Sequence, residues 1–386
     1  MPSSAGSPLS KPIRRLVAEA AHRNPDAADA PEAFRPWTAD IAPRPFVDAL
    51  TRAAKDHLDA FAHGVLAYQR HPHRRERALP PPAWQAGAAA LRSYGGPTDA
   101  PPAVFVPSLV NRAYILDLSA DRSLMAAAAK STRAYLLDWG APGAAELGYS
   151  VTDYVTRVLI PALDWVKANT GAAPRLIGYC MGGTLAVAPA LLRPELVSGL
   201  ALLAAPWDFH VDTAASRALM QMYRPWLETL IGLARCAPVD LLQALFASLD
   251  PTLAGRKFRG FAAMDPASDP ARRFVELEDW LNDGIPLAAP VARETLFDWY
   301  GANTPMAGAW RVAGTIMTPA RIGCPTLAMI PAQDRIVPPG SARALAQAIP
   351  GAAARDIPLG HIGMIAGGGA ARAVYAPLID WLKAPA

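Results

Sequence analysis

The sequence predicts an α/β protein, with a mostly parallel central sheet, helices on both faces and a helical cap inserted before the last strands. Three observations carry this. From about residue 100 onward, short apolar runs alternate with helical stretches. Strands that are apolar throughout are those buried on both faces of a parallel sheet. The interval between residues 204 and 325 breaks that rhythm. It is too long for a structureless loop and so needs helices of its own. Finally, 52% of the 386 residues are apolar and only 18% charged, a composition that supports a sizeable core and argues against global disorder.

Taken in order, residues 1–43 are rich in Pro, Ala and Asp with weak periodicity, and partial disorder is expected there. Residues 45–69 place Phe46, Leu50, Leu58, Phe61, Val65 and Leu66 at helical spacing, which predicts an amphipathic helix. The basic run "RHPHRRER" (70–77) then reads as a solvated linker, with a polyanion or acidic partner as the other reading. Residues 1–84 form the expected N-terminal extension, 85–209 and 310–386 the core, and 210–309 the cap. Strands are expected at 103–107, 133–139, 175–179, 200–204, 325–330 and 353–358. Helices are expected at 151–169 and 340–349, and in the cap at 216–234 and 237–249. No internal repeat is evident.

The net charge of +4 is mild and lies in no long block, which argues against a nucleic-acid partner. Cys180, Cys236 and Cys324 are odd in number and far apart, as in a reducing compartment rather than a disulfide framework. The N-terminal stretch has no apolar core of a signal peptide. The longest uncharged window, 176–192, carries glycines and a proline and falls short of a membrane span. A cytoplasmic protein without a transmembrane segment is expected. No His/Cys cluster stands at metal-ligand spacing, and "GGGA" (367–370) does not follow a strand as a phosphate loop would. Neither a metal nor a bound cofactor is therefore expected.

The chemistry concentrates at Gly178-Tyr179-Cys180-Met181-Gly182-Gly183, which follows one expected strand and opens a helix. A small-x-nucleophile-x-small pattern in that setting is the nucleophile elbow of an α/β-hydrolase fold. Neighbouring chain passes so close that only glycine fits beside the nucleophile. The helix beginning at Met181 turns its N-terminal dipole toward the sulfur and favours the thiolate. The plainer alternative is a buried structural cysteine beside a glycine-rich packing site.

A nucleophile needs a base, and the base needs an orienting acid; in this fold they follow in the order nucleophile, acid, histidine. Asp334 follows the expected strand 325–330, and His361 follows 353–358. Of the seven histidines, five precede the core and His210 begins the cap, which leaves His361 in the required place. Asp208 follows an earlier strand and competes with Asp334, with a structural role as its other reading. Oxyanion donors are expected at the N–H of Met181 and, from the loop "SLVN", of Val110.

The segments "VPSLVNRAYILDL", "GYCMGGTLA", "LAAPWDF", "PAQDRIVPPGSA" and "GHIGMIAGG" together resemble the polyhydroxyalkanoate synthases over roughly residues 85–386. The length is closest to the short-subunit type. The resemblance implies an acyltransferase that polymerises 3-hydroxyacyl-CoA into polyester with release of CoA. Cys180 would be the acylated nucleophile, His361 its base, and Asp334 the group that orients the histidine or helps deprotonate the hydroxyl of the incoming acyl group. CoA would then be part of the substrate and not a cofactor. The resemblance also implies a growing polyester chain or granule surface, a second synthase subunit and a homodimer as partners. One departure is Arg335, where the family commonly has histidine after the acid. The alternative activity on the same scaffold is a thioesterase or polyester depolymerase, in which water takes the acyl group. A non-enzymatic granule protein is a third reading, opposed by the intact Cys180, Asp334 and His361.

Overall fold

The structure is a computed structural model that describes residues 43–75, 77–211 and 214–384. The expected disorder of residues 1–43 falls almost wholly outside that range. The described chain divides into two compact units.

The smaller unit holds helix α1 (Pro43–Arg70) and the segment 254–266. The helix expected at 45–69 is therefore present. Phe61 and Tyr68 set their rings edge-on to Phe258 at 6.0 and 5.8 Å. Gly64 lets the two segments approach, since a Cβ there would stand 1.9 Å from the Phe258 carbonyl oxygen. The apolar positions do not all share one buried face: Leu50, Leu58 and Leu66 are exposed.

The larger unit is built on one eight-stranded sheet. Its strands are β1 (Pro82–Ala86), β2 (Ala89–Ser93), β3 (Pro102–Val106), β4 (Arg133–Asp138), β5 (Arg175–Tyr179), β6 (Gly199–Leu203), β7 (Thr326–Pro331) and β8 (Ala353–Ile357). They lie in the order β1-β2-β4-β3-β5-β6-β7-β8. From β4 to β8 every pairing is parallel, and the hairpin β1–β2 joins antiparallel at one edge. All six expected strands are present. The hairpin was not expected, and its first strand begins at Pro82, inside the segment assigned to the extension.

Side chains alternate across the strands into two cores. Val104, Leu176, Leu200 and Ile330 enter one; Phe105, Ile177, Leu203 and Met329 enter the other. Helices α2 (Ile160–Thr170), α3 (Met181–Leu192) and, further along the chain, Pro339–Ala348 supply the first core. The C-terminal helix Ala376–Lys383 supplies the second.

The cap leaves after β6 and returns before β7. It holds α4 (Ala214–Ala234), α5 (Val239–Ser248), α6 (Asp269–Asn282) and a wide helical turn, Glu294–Gly301. Its root is knotted at Asn303. The Asn303 side chain donates to Asp208 Oδ1 at 2.8 Å and accepts from the Phe209 N–H at 2.9 Å. Asp208 thus clamps the entry of the cap to its exit, which is the structural role. Among the described residues no helix is long and apolar enough to cross a membrane.

The basic run is not a free linker. Arg77 bonds the buried carboxylate of Asp117 at 2.9 Å, and the Arg75 guanidinium lies 4.4 Å over the Tyr114 ring.

Candidate active site

Register brings the site together. Val106 of β3 pairs with Gly178 of β5, Tyr179 with Leu203 of β6, and Leu203 with Met329 of β7. The C-terminal ends of four adjacent strands are therefore level, and open α/β sheets place their ligands beyond such ends. Cys180 follows β5, Asp334 follows β7 and His361 follows β8.

Cys180 sits at φ 55°, ψ −130°, a conformation that residues with a Cβ rarely adopt. It is held there by its own N–H to the Leu203 carbonyl at 2.9 Å and by the Gly183 N–H to its carbonyl at 2.9 Å. The glycine requirement is visible in distances. A Cβ on Gly182 would stand 2.1 Å from the Val106 oxygen, and one on Gly178 would stand 2.3 Å from the Gly183 Cα. The strain is a feature of the turn that lifts the sulfur clear of the sheet. Cys180 is partly exposed, unlike a thiol sealed in a core. Cys236 and Cys324 are partly exposed as well, and burial pushes both of their thiols up.

His361 Nδ1 meets Asp334 Oδ2 at 2.6 Å, and both side chains are buried. Asp334 is itself fixed, since its Oδ1 accepts the N–H groups of Ile336 and Val337, each at 2.8 Å. Cys180 lies close enough to act on His361 electrostatically. Burial alone would lower its pKa, but the charge of Cys180 and the interactions with Asp334 and Cys180 overcome that and push it up to about 10. The structure thus pairs His361 with Asp334 by a direct hydrogen bond and brings Cys180 within electrostatic reach of both.

Two tyrosines near these groups carried no sequence signal. Tyr179 donates its O–H to the His361 carbonyl at 3.1 Å, with the two rings 5.2 Å apart. Burial, followed by the charges of Cys180 and Asp334, raises its pKa well above the usual phenol value, so it stays a neutral donor. Tyr300, on the wide turn of the cap, is pushed up by the same causes in the same order. Its ring packs edge-on to Phe209 at 4.9 Å. The cap therefore contributes a phenol within electrostatic reach of Cys180.

The expected oxyanion donors stand in different situations. Met181 is the first residue of α3, and the first N–H groups of a helix have no acceptor within it. The loop after β3 crosses the elbow, as the contacts of Gly182 with Val106 and Pro107 require. Trp139 Nε1 holds that loop through the Pro107 carbonyl at 3.0 Å. In it, the Val110 N–H donates to Ser108 Oγ at 3.2 Å, so Val110 would have to exchange that contact for the substrate.

With this geometry in hand, the comparisons with known proteins are specific. The family model for the alpha/beta hydrolase fold matches residues 104–367. The "Poly(3-hydroxyalkanoate) polymerase subunit PhaC" of Allochromatium vinosum is 29% identical over 303 residues, spanning 76% of this chain and 85% of that protein. The protein of that name from Thiocystis violacea is 29% identical, over 73% of this chain and 80% of its own. Among solved structures, a hydrolase from Pseudomonas aeruginosa superposes with a TM-score of 0.50 at 17% identity, covering 77% of this chain and 94% of that one. That likeness concerns the fold alone. The chain belongs to the α/β-hydrolase fold family, and the resemblance read from its motifs is borne out by its similarity to the polyhydroxyalkanoate polymerases.

Proposed function

We propose that this enzyme is a polyhydroxyalkanoate synthase-type acyltransferase that forms polyester from 3-hydroxyacyl-CoA through a covalent thioester on Cys180. The observation that carries the reading is a cysteine, and not a serine, at a nucleophile elbow whose sulfur acts electrostatically on the hydrogen-bonded pair His361–Asp334. Thioester-to-thioester transfer is nearly isoenergetic, and a thiolate is both a strong nucleophile and a good leaving group. The similarity to the polymerase subunits supports the same substrate class.

Each residue then has a task. The Cys180 thiolate attacks the thioester carbonyl, and Met181 and Val110 offer N–H groups to the oxyanion. The C–S bond to CoA breaks, and the CoA thiolate takes the proton held on His361. The neutral His361 next accepts the proton of a 3-hydroxyl as that oxygen attacks the acyl-Cys180 thioester. An ester bond forms, Cys180 leaves as thiolate, and the imidazolium is restored. Asp334 holds the ring and stabilises the imidazolium throughout. A growing polyester chain or granule surface, a second synthase subunit, a homodimer and a cytoplasmic location complete the proposal.

The test feeds purified protein with 3-hydroxybutyryl-CoA, with Cys180→Ala as the blank. Released CoA is followed as free thiol, and the product is sorted into insoluble polyester and free 3-hydroxybutyrate. CoA release with polymer is the expected result. Release with free acid alone would identify a thioesterase and overturn the polymerase reading.

A further inference from the structure

Part of the basic run 70–77 lines a cavity that the mechanism leaves unused. The cavity measures about 940 Å³ and lies between residues 72–77, the turn 118–121 and the first half of α6, all within the larger unit. None of Cys180, Asp334, His361 and Val110 lines it. Five arginines face three carboxylates there. Arg74, Arg75 and Arg77 come from the basic run, and Arg272 and Arg273 from α6. Two segments distant in sequence thus converge with the same sign of charge. They are held from behind. Arg77 bonds Asp117, a fully buried carboxylate that also accepts from Tyr94 Oη at 2.9 Å and Ser123 Oγ at 2.5 Å. The Arg75 guanidinium donates to the carbonyls of Arg77 and Asp117 and lies over the Tyr114 ring, and none of these cancels its charge. On α6, Arg273 bonds Asp121 at 2.9 Å, and Arg272 bonds Glu276 at 2.7 Å. Glu276 is shared with the buried Arg122. Counting Asp117 and Arg122 behind the walls leaves the positive excess unchanged among the described residues. The side chains of Arg77, Arg272 and Arg273 keep 37, 33 and 45% of their surface open.

Stability does not account for this arrangement. Exposed ion pairs contribute little, and gathering like charges works against the fold. A cavity of this size suits a small molecule. Guanidiniums that face one space from two sides match phosphate oxygens, because each planar fork offers two parallel N–H donors. Five forks with a net positive charge are more than a single phosphate engages. We infer that the arginine-lined cavity is a binding site for a small molecule carrying several linked phosphates, of the nucleoside triphosphate class, at a place separate from Cys180. Asp121 orients Arg273 and competes with the phosphates for it. The inference does not rest on the acyl-transfer reading, since no step of that reaction uses the cavity.

The test titrates inorganic triphosphate, and then ATP, into the full chain by calorimetry at low salt. Saturable binding at one site per chain is expected, weakened by added salt. Arg74→Gln and Arg273→Gln, both at side chains open to solvent, should each weaken it about threefold to tenfold. Asp121→Asn should tighten it about twofold, because a competitor for Arg273 is gone. Arg343→Gln is the control. Arg343 is a comparably exposed arginine, paired with Asp356 at 2.5 Å, and does not line the cavity. It should leave the affinity unchanged. No saturable binding, or an equal loss in Arg343→Gln, would mean diffuse attraction to a basic protein and overturn the inference. Displacement of the triphosphate by CoA, together with a raised KM for 3-hydroxybutyryl-CoA in Arg273→Gln, would assign the cavity to the acyl donor and overturn the claim of a separate ligand.

Discussion

The ends of the sheet strands and the first helices of the cap are built on opposite terms. Around Cys180 the backbone segments are packed too closely to admit a Cβ at Gly178 or Gly182. A Cβ on Gly182 collides with the Val106 oxygen, and Asp334 and His361 are buried and hydrogen-bonded. On α4 the large apolar side chains Met222, Tyr223, Trp226 and Leu233 are exposed, Leu233 to 82%. The second half of the cap resembles the core more than the first half does. Val275, Trp280 and Trp299 are buried, and Trp280 Nε1 bonds the Arg112 carbonyl at 2.9 Å. The difference teaches a division of labour. The core buries His361 and Asp334 beside Cys180, whereas α4 leaves large apolar side chains in solvent beside the buried Leu227 and Ile231.

The sharpest way to break this comparison is at the acid. Asp334→Asn keeps the shape but removes the charge that orients His361, and should lower kcat roughly a thousandfold in the CoA-release assay. A small loss would mean that another group orients the base. Gly182→Ala comes next. It should destabilise the protein by at least about 2 kcal/mol in urea unfolding, because a backbone oxygen and not a flexible side chain stands in the way. A neutral result would show that the elbow is softer than its contacts imply.

The third prediction concerns protons. The charge of Cys180 is the largest cause raising His361, so Cys180→Ala should bring its titration, followed by NMR, down from about 10 toward the ordinary histidine range. The sign for stability follows from linkage. Folding raises this pKa above its unfolded value, near 6.5, so the stabilisation is complete below pH 6.5 and is lost as pH rises through about 10. Cys180→Ala should shrink that loss. The smallest expected effect belongs to the cap. Trp226, 58% exposed, should be replaceable by Ala with less than about 0.5 kcal/mol change in stability. A larger loss would show that α4 is anchored as firmly as the core.

The same contrast explains what the sequence revealed. Five of the six core strands were legible because strands buried on most positions are continuous apolar runs, as in "RLIGY" and "LALLA", whereas β8, expected to be buried as well, is an edge strand exposed at four of its five positions. The hairpin β1–β2 was not, because "PAWQA" is a mostly exposed edge strand lying before the alternation of strands and helices begins, unlike β8, which that alternation located. Cys180, Asp334 and His361 were legible because each follows a strand in a fixed order. Tyr179 and Tyr300 were not, since their roles depend on contacts across long sequence separations and on the charge of neighbours. Arg335 donates to Asp250 of the cap across 85 residues of chain. Sequence marked only that an arginine stood in an unexpected place. For Val110, sequence located the loop, but the side chain of Ser108 that competes for its N–H could be seen only in the fold.

The central claim is that the core forms a covalent acyl group on Cys180. The most direct test mixes the protein with 3-hydroxybutyryl-CoA, quenches in acid within the first turnovers, and maps peptides by mass spectrometry. The account predicts a 3-hydroxybutyryl thioester, or a short oligomer of it, on the peptide carrying Cys180, and none in Cys180→Ala. Release of CoA without any adduct on that peptide, or an adduct on Cys236 or Cys324 instead, would contradict it.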